Sequence, residues 1–314
     1  MARKTWLGVG WAGPTAFLPV AAAILCLAPA VQPARAVSVV LQDSNSLVTI
    51  DVDGPGGGAA GGVREWLMDG VNQNKLEWFW YRLGEGGPEV PINALGRSWM
   101  KVSDTNEDPG LDTLSVRYGS TAGLHVEAQF NLMGGEPGSG TSDLSEVIKI
   151  HNATGQYVTV HFFEYADFDL GGNPQDLEVR ITGGNTAWQR DKVSITDYLM
   201  AETPAISPDL VEVSATGSIL AGLTDGGPTT LSNFAGPLYN GDLAWAFEWD
   251  MVLAPGAEFI TSKNKNISTT IVPEPLTLAG MFLGGLGLAG YLRKRRTSAA
   301  RRCIHGPSAG GVAW

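Results

Sequence analysis

The chain has 314 residues, 44% of them hydrophobic and 17% charged, with 41 glycines and ten tryptophans. That is ample material for a buried core and excludes a wholly disordered chain. A net charge of −11 excludes nucleic acid as a partner, because phosphate binding needs a basic surface. The charge is unevenly spread: residues 1–36 carry +3, residues 37–273 carry −19 and residues 293–314 carry +6.

From the N-terminus, Arg3 and Lys4 are followed by an apolar stretch, Ala16 to Val31, and by the small-x-small triplet Ala34-Arg35-Ala36. These are the three parts of a secretory signal, with signal peptidase cutting before Val37. A buried N-terminal helix is the poorer reading, since Pro14, Pro19, Pro29 and Pro33 would break it.

Residues 37–271 read as one secreted all-β domain. The clearest strand is Leu124 to Leu132, where Leu124, Val126, Ala128, Phe130 and Leu132 alternate with polar residues. Shorter segments of the same kind recur at Leu47–Val52, Leu76–Leu83, Arg97–Val102, Leu114–Tyr118, Glu146–His151, Tyr157–Phe163, Leu177–Ile181, Val193–Leu199, Val211–Ala215, Leu243–Leu253 and Ala257–Ile260. Glycine-rich turns separate them, and no stretch of ten or more residues carries a helical period. The pattern predicts a β-sandwich of jelly-roll or Greek-key type. Both cysteines, Cys26 and Cys303, lie outside this body, so its core must hold it together without disulfides. The run Trp78-Phe79-Trp80-Tyr81, with Trp99, Trp188, Trp245 and Trp249, is assigned to that core in preference to a sugar-stacking platform.

Asp104, Asn106 and Asp108 have the one-three-five oxygen spacing of a calcium loop, without the glycine and the glutamate that an EF-hand places sixth and twelfth. They are the candidate ligands for a structural calcium ion, the only cofactor the sequence suggests. Asp167, Asp169, Asn173 and Asp176 form a second oxygen-rich segment. His151 and His161 are placed to face one another across a hairpin around Asn152-Ala153-Thr154-Gly155. No Gly-x-Ser-x-Gly elbow, P-loop or dinucleotide motif occurs, and spacing singles out no pair among Glu127, Glu146, Glu164 and Glu248. No catalytic residue is assigned.

At the C-terminal end, Val272-Pro273-Glu274-Pro275 precedes the uncharged run Leu276 to Leu292 and the cluster Arg293-Lys294-Arg295-Arg296. At ~1.5 Å per residue the run spans about 26 Å, close to the ~27–30 Å of a hydrocarbon core. It reads as a transmembrane helix over 276–292 whose basic flank stays cytoplasmic, with residues 297–314 a disordered basic tail. Both ends therefore place the β-domain outside the cytoplasm.

Pro-Glu-Pro, one apolar span and an Arg-rich cluster, in that order, resemble the PEP-CTERM sorting signal of bacterial exosortase substrates. The segments Glu77–Arg82, His161–Asp169 and Ala246–Asp250 also resemble stretches of other PEP-CTERM proteins. The resemblance implies export by signal peptidase, an inner-membrane intermediate, and processing by an exosortase-type membrane protease at Val272 to Pro275. The product is then a surface or extracellular protein associated with exopolysaccharide and biofilm matrix. The sequence reading is a non-enzymatic matrix protein, with a carbohydrate-binding module as the alternative and a secreted glycan hydrolase as the second. Intact mass of the protein recovered from outside the native cell is expected to begin at Val37 and end near Pro273; a mass extending to Trp314 would mean the C-terminal segment is not removed.

Overall fold

A computed structural model describes residues 37–271 except Gly57 and Asp108, and all that follows concerns these residues. Ala34, Ala36, Asp108, the sorting motif from Val272 to Arg296 and the tail lie outside them. Among the described residues no helix is long and apolar enough to cross a membrane.

The chain opens with β1 (Ser38–Asp43), β2 (Ser46–Asp51), β3 (Gly62–Met68), β4 (Val71–Asn72), β5 (Leu76–Leu83) and β6 (Val90–Pro91). There follow β7 (Arg97–Ser103), β8 (Thr113–Gly119), β9 (Leu124–Gly134), β10 (Thr141–Asn152), β11 (Val158–Asp167) and β12 (Asp176–Thr182). The last are β13 (Thr186–Val193), β14 (Thr196–Pro204), β15 (Leu210–Ala215), one short helix α1 (Ser218–Gly222), β16 (Leu238–Gly241), β17 (Leu243–Leu253) and β18 (Glu258–Ile271).

These strands make two antiparallel sheets, the sandwich that the alternating pattern predicts. The first runs β1-β2-β3-β5-β11-β17-β15, with β4 and β6 paired at its side; the second runs β16-β12-β13-β14-β18-β10-β9-β8-β7. Much of each sheet is meander, such as β7 to β10 and β12 to β14, while β11 and β18 are inserted between strands distant in sequence. The core is aromatic: Phe79 stacks on Phe162 at 5.7 Å, and Trp78 lies parallel to Phe130 of the opposite sheet at 6.4 Å. Trp78, Trp80, Trp245 and Trp249 are buried, as assigned. Trp99 is not: it is 45% exposed, with the Arg117 guanidinium 5.9 Å from its ring.

The centre of the sandwich is ionic. Lys263 and Lys265 of β18 point between the sheets, where Glu146 (β10) and Glu202 (β14) meet them from neighbouring strands and Glu77 (β5) and Glu164 (β11) from the opposite sheet. Lys265 Nζ lies 2.6 Å from Glu77, 3.0 Å from Glu146, 3.0 Å from Glu202 and 3.1 Å from Glu164. Lys263 Nζ contacts Glu164, lies 2.8 Å from Glu146 and sits 4.4 Å over the Phe79 ring. All six side chains are buried. Two cations among four carboxyls would leave a net −2 in a dry interior, which desolvation forbids. Burial raises Glu77 well above its ordinary value, with Glu146 adding to the rise, and burial lifts Glu202 to about 8 with help from Glu164. Burial also acts on Glu146, but Lys263 and Lys265 outweigh it and hold that carboxyl low. The raised values of Glu77 and Glu202 reduce the negative charge that the two lysines must offset.

Lys265→Met is expected to destabilise the fold by about 3–5 kcal/mol in urea unfolding, because it strands buried carboxylates. Glu202 has a raised folded-state value, so its stabilising contribution is complete below about 4.5 and is lost as pH rises through about 8. The urea midpoint of the wild type should therefore fall over that window, whereas that of Glu202→Gln should fall less; parallel profiles would refute the assignment.

Candidate functional site

Strands β5, β11 and β17 are hydrogen-bonded neighbours at the middle of the first sheet, and they contain the segments 77–82 and 246–250 and the segment 161–169 up to Asp167. Central strands buried on both faces are apolar on both, so charged residues within them stand out. The register pairs Arg82 with His161 and His161 with Asp250; two residues along, Trp80 pairs with Phe163 and Phe163 with Glu248. These rungs alternate with Phe79–Glu164–Phe247, which faces the ionic centre, so they lie on the opposite face of the sheet.

That face is roofed by the chain between β15 and β17, whose Ile219, Leu223 and Leu231 are buried. The roof is tied to the carboxylates beneath it: Leu231 N–H donates to Glu248 Oε2 at 2.8 Å, and Thr229 N–H to Glu89 Oε1 at 2.8 Å. Glu89 in turn lies 3.2 Å from Arg82 Nε.

Under the roof, His161 Nδ1 is 2.5 Å from Asp250 Oδ1 and 3.9 Å from Glu248 Oε1, while Nε2 is 3.8 Å from Glu85. The Asp250 contact is the geometry of a carboxylate that orients an imidazole through Nδ1–H and leaves Nε2 as the acceptor. Five buried polar atoms here make no hydrogen bond: Trp80 Nε1, Arg82 Nε, Glu89 Oε2, His161 Nε2 and Glu248 Oε1. Buried polar groups are normally satisfied, so these atoms are free to pair with a polar group from outside the protein. Burial pushes Glu248 up to about 7; the Leu231 N–H opposes the rise, Asp250 adds to it, Arg82 opposes it and Glu89 adds to it. Glu248 can thus exchange a proton near neutrality beside a histidine. A cavity of about 420 Å³ is lined by Trp80, Glu89, Pro91, Leu223 and Thr224 among others, while His161, Glu248 and Asp250 do not line it.

His161, Glu248 and Asp250 also offer ligand atoms within 4.8 Å of one another, as do Glu77, Glu146 and Glu164, and Asp167, Asp169 and Asp242. The second set is already neutralised by Lys263 and Lys265.

The residues singled out in the sequence separate. Glu248 joins the cluster; Glu146 and Glu164 belong to the ionic centre; Glu127 pairs with Arg117 at 2.6 Å on the surface. His151 and His161 do not face one another, because β10 and β11 lie in different sheets and the turn between them crosses from one to the other. His151 instead pairs with His125 across β9 and β10, with ring centres 4.8 Å apart. Asp104 Oδ1 accepts the N–H groups of Asn106 at 3.0 Å and Glu107 at 2.9 Å, an Asx turn.

No protein-family model and no curated protein matches the chain. Similar solved structures include a bacterial glucoamylase complexed with acarbose, with TM-score 0.46, 11% identity and 78% of this chain covered. A galactose mutarotase-like protein from Lactobacillus casei ATCC 334 has TM-score 0.38, 11% identity and 74% of this chain covered, over 100% of its own length. A GH36 α-galactosidase from Geobacillus stearothermophilus has TM-score 0.36, 11% identity and 75% of this chain covered, over 40% of its own length. The chain spans 32% of the glucoamylase. The expectation of a non-enzymatic chain, made because spacing revealed no catalytic constellation, is corrected here: folding brings His161, Glu248 and Asp250 together.

Carbon-13 NMR titration of labelled glutamates should show Glu248 with a midpoint near 7. Asp250→Asn should move that midpoint down and Arg82→Gln should move it up; shifts of the same sign in both variants would contradict the assigned causes.

Proposed function

We propose that this chain is an exported carbohydrate-active enzyme that moves protons at the oxygens of a sugar, using His161 and Glu248. The observation that carries the reading is the convergence of buried His161 and Glu248 with exposed Asp250, among five buried polar atoms of Trp80, Arg82, Glu89, His161 and Glu248 that make no hydrogen bond. Alternating donors and acceptors (indole N–H, guanidinium, imidazole and carboxyl) match a polyhydroxylated ligand, and Trp80 brings an aromatic group to the cavity.

In the proposed step, Asp250 holds the imidazole through Nδ1–H and Nε2 accepts the proton of a hydroxyl on the anomeric carbon. Glu248 donates its proton from Oε1 to the ring oxygen, the C–O ring bond breaks and a carbonyl forms at the anomeric carbon. Reclosure returns both protons, and rotation about the neighbouring bond before closure gives the other anomer. Arg82 offsets the carboxylate left on Glu248. Glu248 Oε1 lies 3.9 Å from His161 Nδ1, so the acid and the imidazole belong to one cluster.

Delivery is proposed to follow the terminal signals. Signal peptidase cuts after Ala36, and the segment from Val272 to Arg296 holds the chain in the inner membrane until an exosortase-type protease acts, which places the enzyme among surface exopolysaccharide.

The test is polarimetry of freshly dissolved single anomers of reducing aldohexoses with the full chain. Acceleration over buffer is expected, with His161→Gln and Glu248→Gln each reducing it by about 10²-fold or more while sugar binding persists. Binding without turnover, unaltered in either variant, would leave a carbohydrate-binding module instead. Release of sugar from glycosides with no change in anomer exchange would make the chain a hydrolase.

A further inference from the structure

Among the described residues, the two tryptophans left out of the core, Trp99 and Trp188, both lie on the outer face of the second sheet. Side chains alternate across a strand: in β13 Ala187 and Gln189 are buried toward the core, so half-buried Trp188 and exposed Arg190 point away from it. In β12 the same alternation buries Val179 and Ile181 and turns Glu178 and Arg180 outward.

The register sets Arg180 opposite Trp188 and Glu178 opposite Arg190. With Asp197 and Leu199 of β14, these four residues line a hollow of about 280 Å³. Its charges are paired: Arg180 Nη1 is 3.1 Å from Glu178 Oε1, and Arg190 Nη2 donates to Asp197 Oδ2 at 3.2 Å. The lining is therefore formally neutral and offers an ionic ligand no net opposite charge. Asp197 is 8% exposed and its Oδ1 makes no hydrogen bond, so the wall keeps an acceptor that lacks a donor.

The arrangement recurs at the other end of the face. Trp99, Arg117, Glu127 and Lys149 form one cross-strand row over β7, β8, β9 and β10. Arg117 lies 5.9 Å from the Trp99 ring centre, and its Nη2 is 2.6 Å from Glu127 Oε1. A hollow of about 130 Å³ opens beside that ring, lined by Glu127, Gln129 and Lys149 among others. Between the two hollows β18 turns Ser262, Asn264, Asn266, Ser268 and Thr270 outward, uncharged groups that alternate with the buried lysines.

We propose that this face binds an uncharged polysaccharide chain, with one sugar ring seated on Trp188 and another on Trp99. An indole covers the C–H side of a sugar ring, while the ring's hydroxyls, each both donor and acceptor, match the guanidinium–carboxylate pair beside each tryptophan. One hydroxyl supplies the donor that Asp197 Oδ1 lacks. Six strand spacings of ~4.8 Å separate β7 from β13, a span that several linked sugar units cover and a single sugar does not. The His161–Glu248 cluster lies on the outer face of the first sheet, across the sandwich, so the proposal does not rest on the enzymatic reading.

Affinity electrophoresis of the full chain in gels containing dextran, galactomannan or laminarin should show retardation, with sodium alginate retarding it less. Trp188→Ala and Trp99→Ala should each weaken the interaction at least five-fold. Asp197→Asn, which replaces an acceptor oxygen at constant shape, should do the same, and Trp188→Phe should keep part of the binding. His161→Gln should leave retardation unchanged and Trp188→Ala should leave anomer exchange unchanged, which separates failure of this site from failure of the enzymatic reading. Retardation by none of the three neutral polymers, retardation by alginate alone, retardation indifferent to both tryptophans, or self-association abolished by Trp188→Ala in place of retardation would overturn the assignment.

Discussion

Two lysines buried with four glutamates set the terms on which this sandwich holds together. An apolar interface between sheets tolerates small slips, since any methyl group packs acceptably against another. Lys263 and Lys265 tolerate none, because each ammonium must reach carboxylates of both sheets at once, 2.6 Å from Glu77 and 3.0 Å from Glu202 in the case of Lys265. Replacing such a network by apolar residues is often neutral or stabilising, so its value here is positional: it fixes how β5 and β11 lie over β10, β14 and β18.

That fixing has a consequence on the other face of the same strands. In β5, β11 and β17 side chains alternate across the sheet, so whatever immobilises Phe79 and Glu164 also immobilises Trp80, Arg82, His161 and Glu248 one residue away. The histidine–carboxylate cluster is thus mounted on strands held from behind by ion pairs and from above by backbone N–H groups of the roof. Groups that shift protons need this: Glu248 stays near 7 only while burial, Asp250 and the Leu231 N–H keep their relative places.

The sandwich was legible in the sequence because period-two alternation is local. Leu76–Leu83 and Leu243–Leu253 coincide with β5 and β17 in full. The Val193–Leu199 expectation straddles a tight turn instead, since Ser194 takes a positive φ of 57° with no glycine or proline to announce it. Strand β3 was not foreseen, as Arg64 and Glu65 interrupt its alternation and a bulge at Arg64 shifts its register against β2. The ionic centre is out of reach of local reading: Glu77 and Lys265 stand 188 positions apart. Glu248 was noticed as one acid among many, and Arg82, Glu89 and Asp250 carried no signal of spacing. What marked Arg82, Glu248 and Asp250 was a charge set inside a strand rich in apolar residues, whereas Glu89 lies in the connection from β5 to β6. The oxygen-rich segment after β11 was visible in Asp167 and Asp169, whereas Asp242 joins them only through the topology of the first sheet.

The placement of β18 bears on how such a chain can be handled before it folds. This strand is the last to leave any machinery that threads the chain from its N-terminus, yet it sits between β14 and β10 and supplies both lysines. Until residue 265 has arrived, Glu77, Glu146, Glu164 and Glu202 have no partners and repel one another, and the second sheet is split into two halves. Closure of the second sheet and full neutralisation of these carboxyls therefore both need β18, a segment that ends just short of position 272. Order of synthesis and order of charge neutralisation are matched, so the fold carries its own delay.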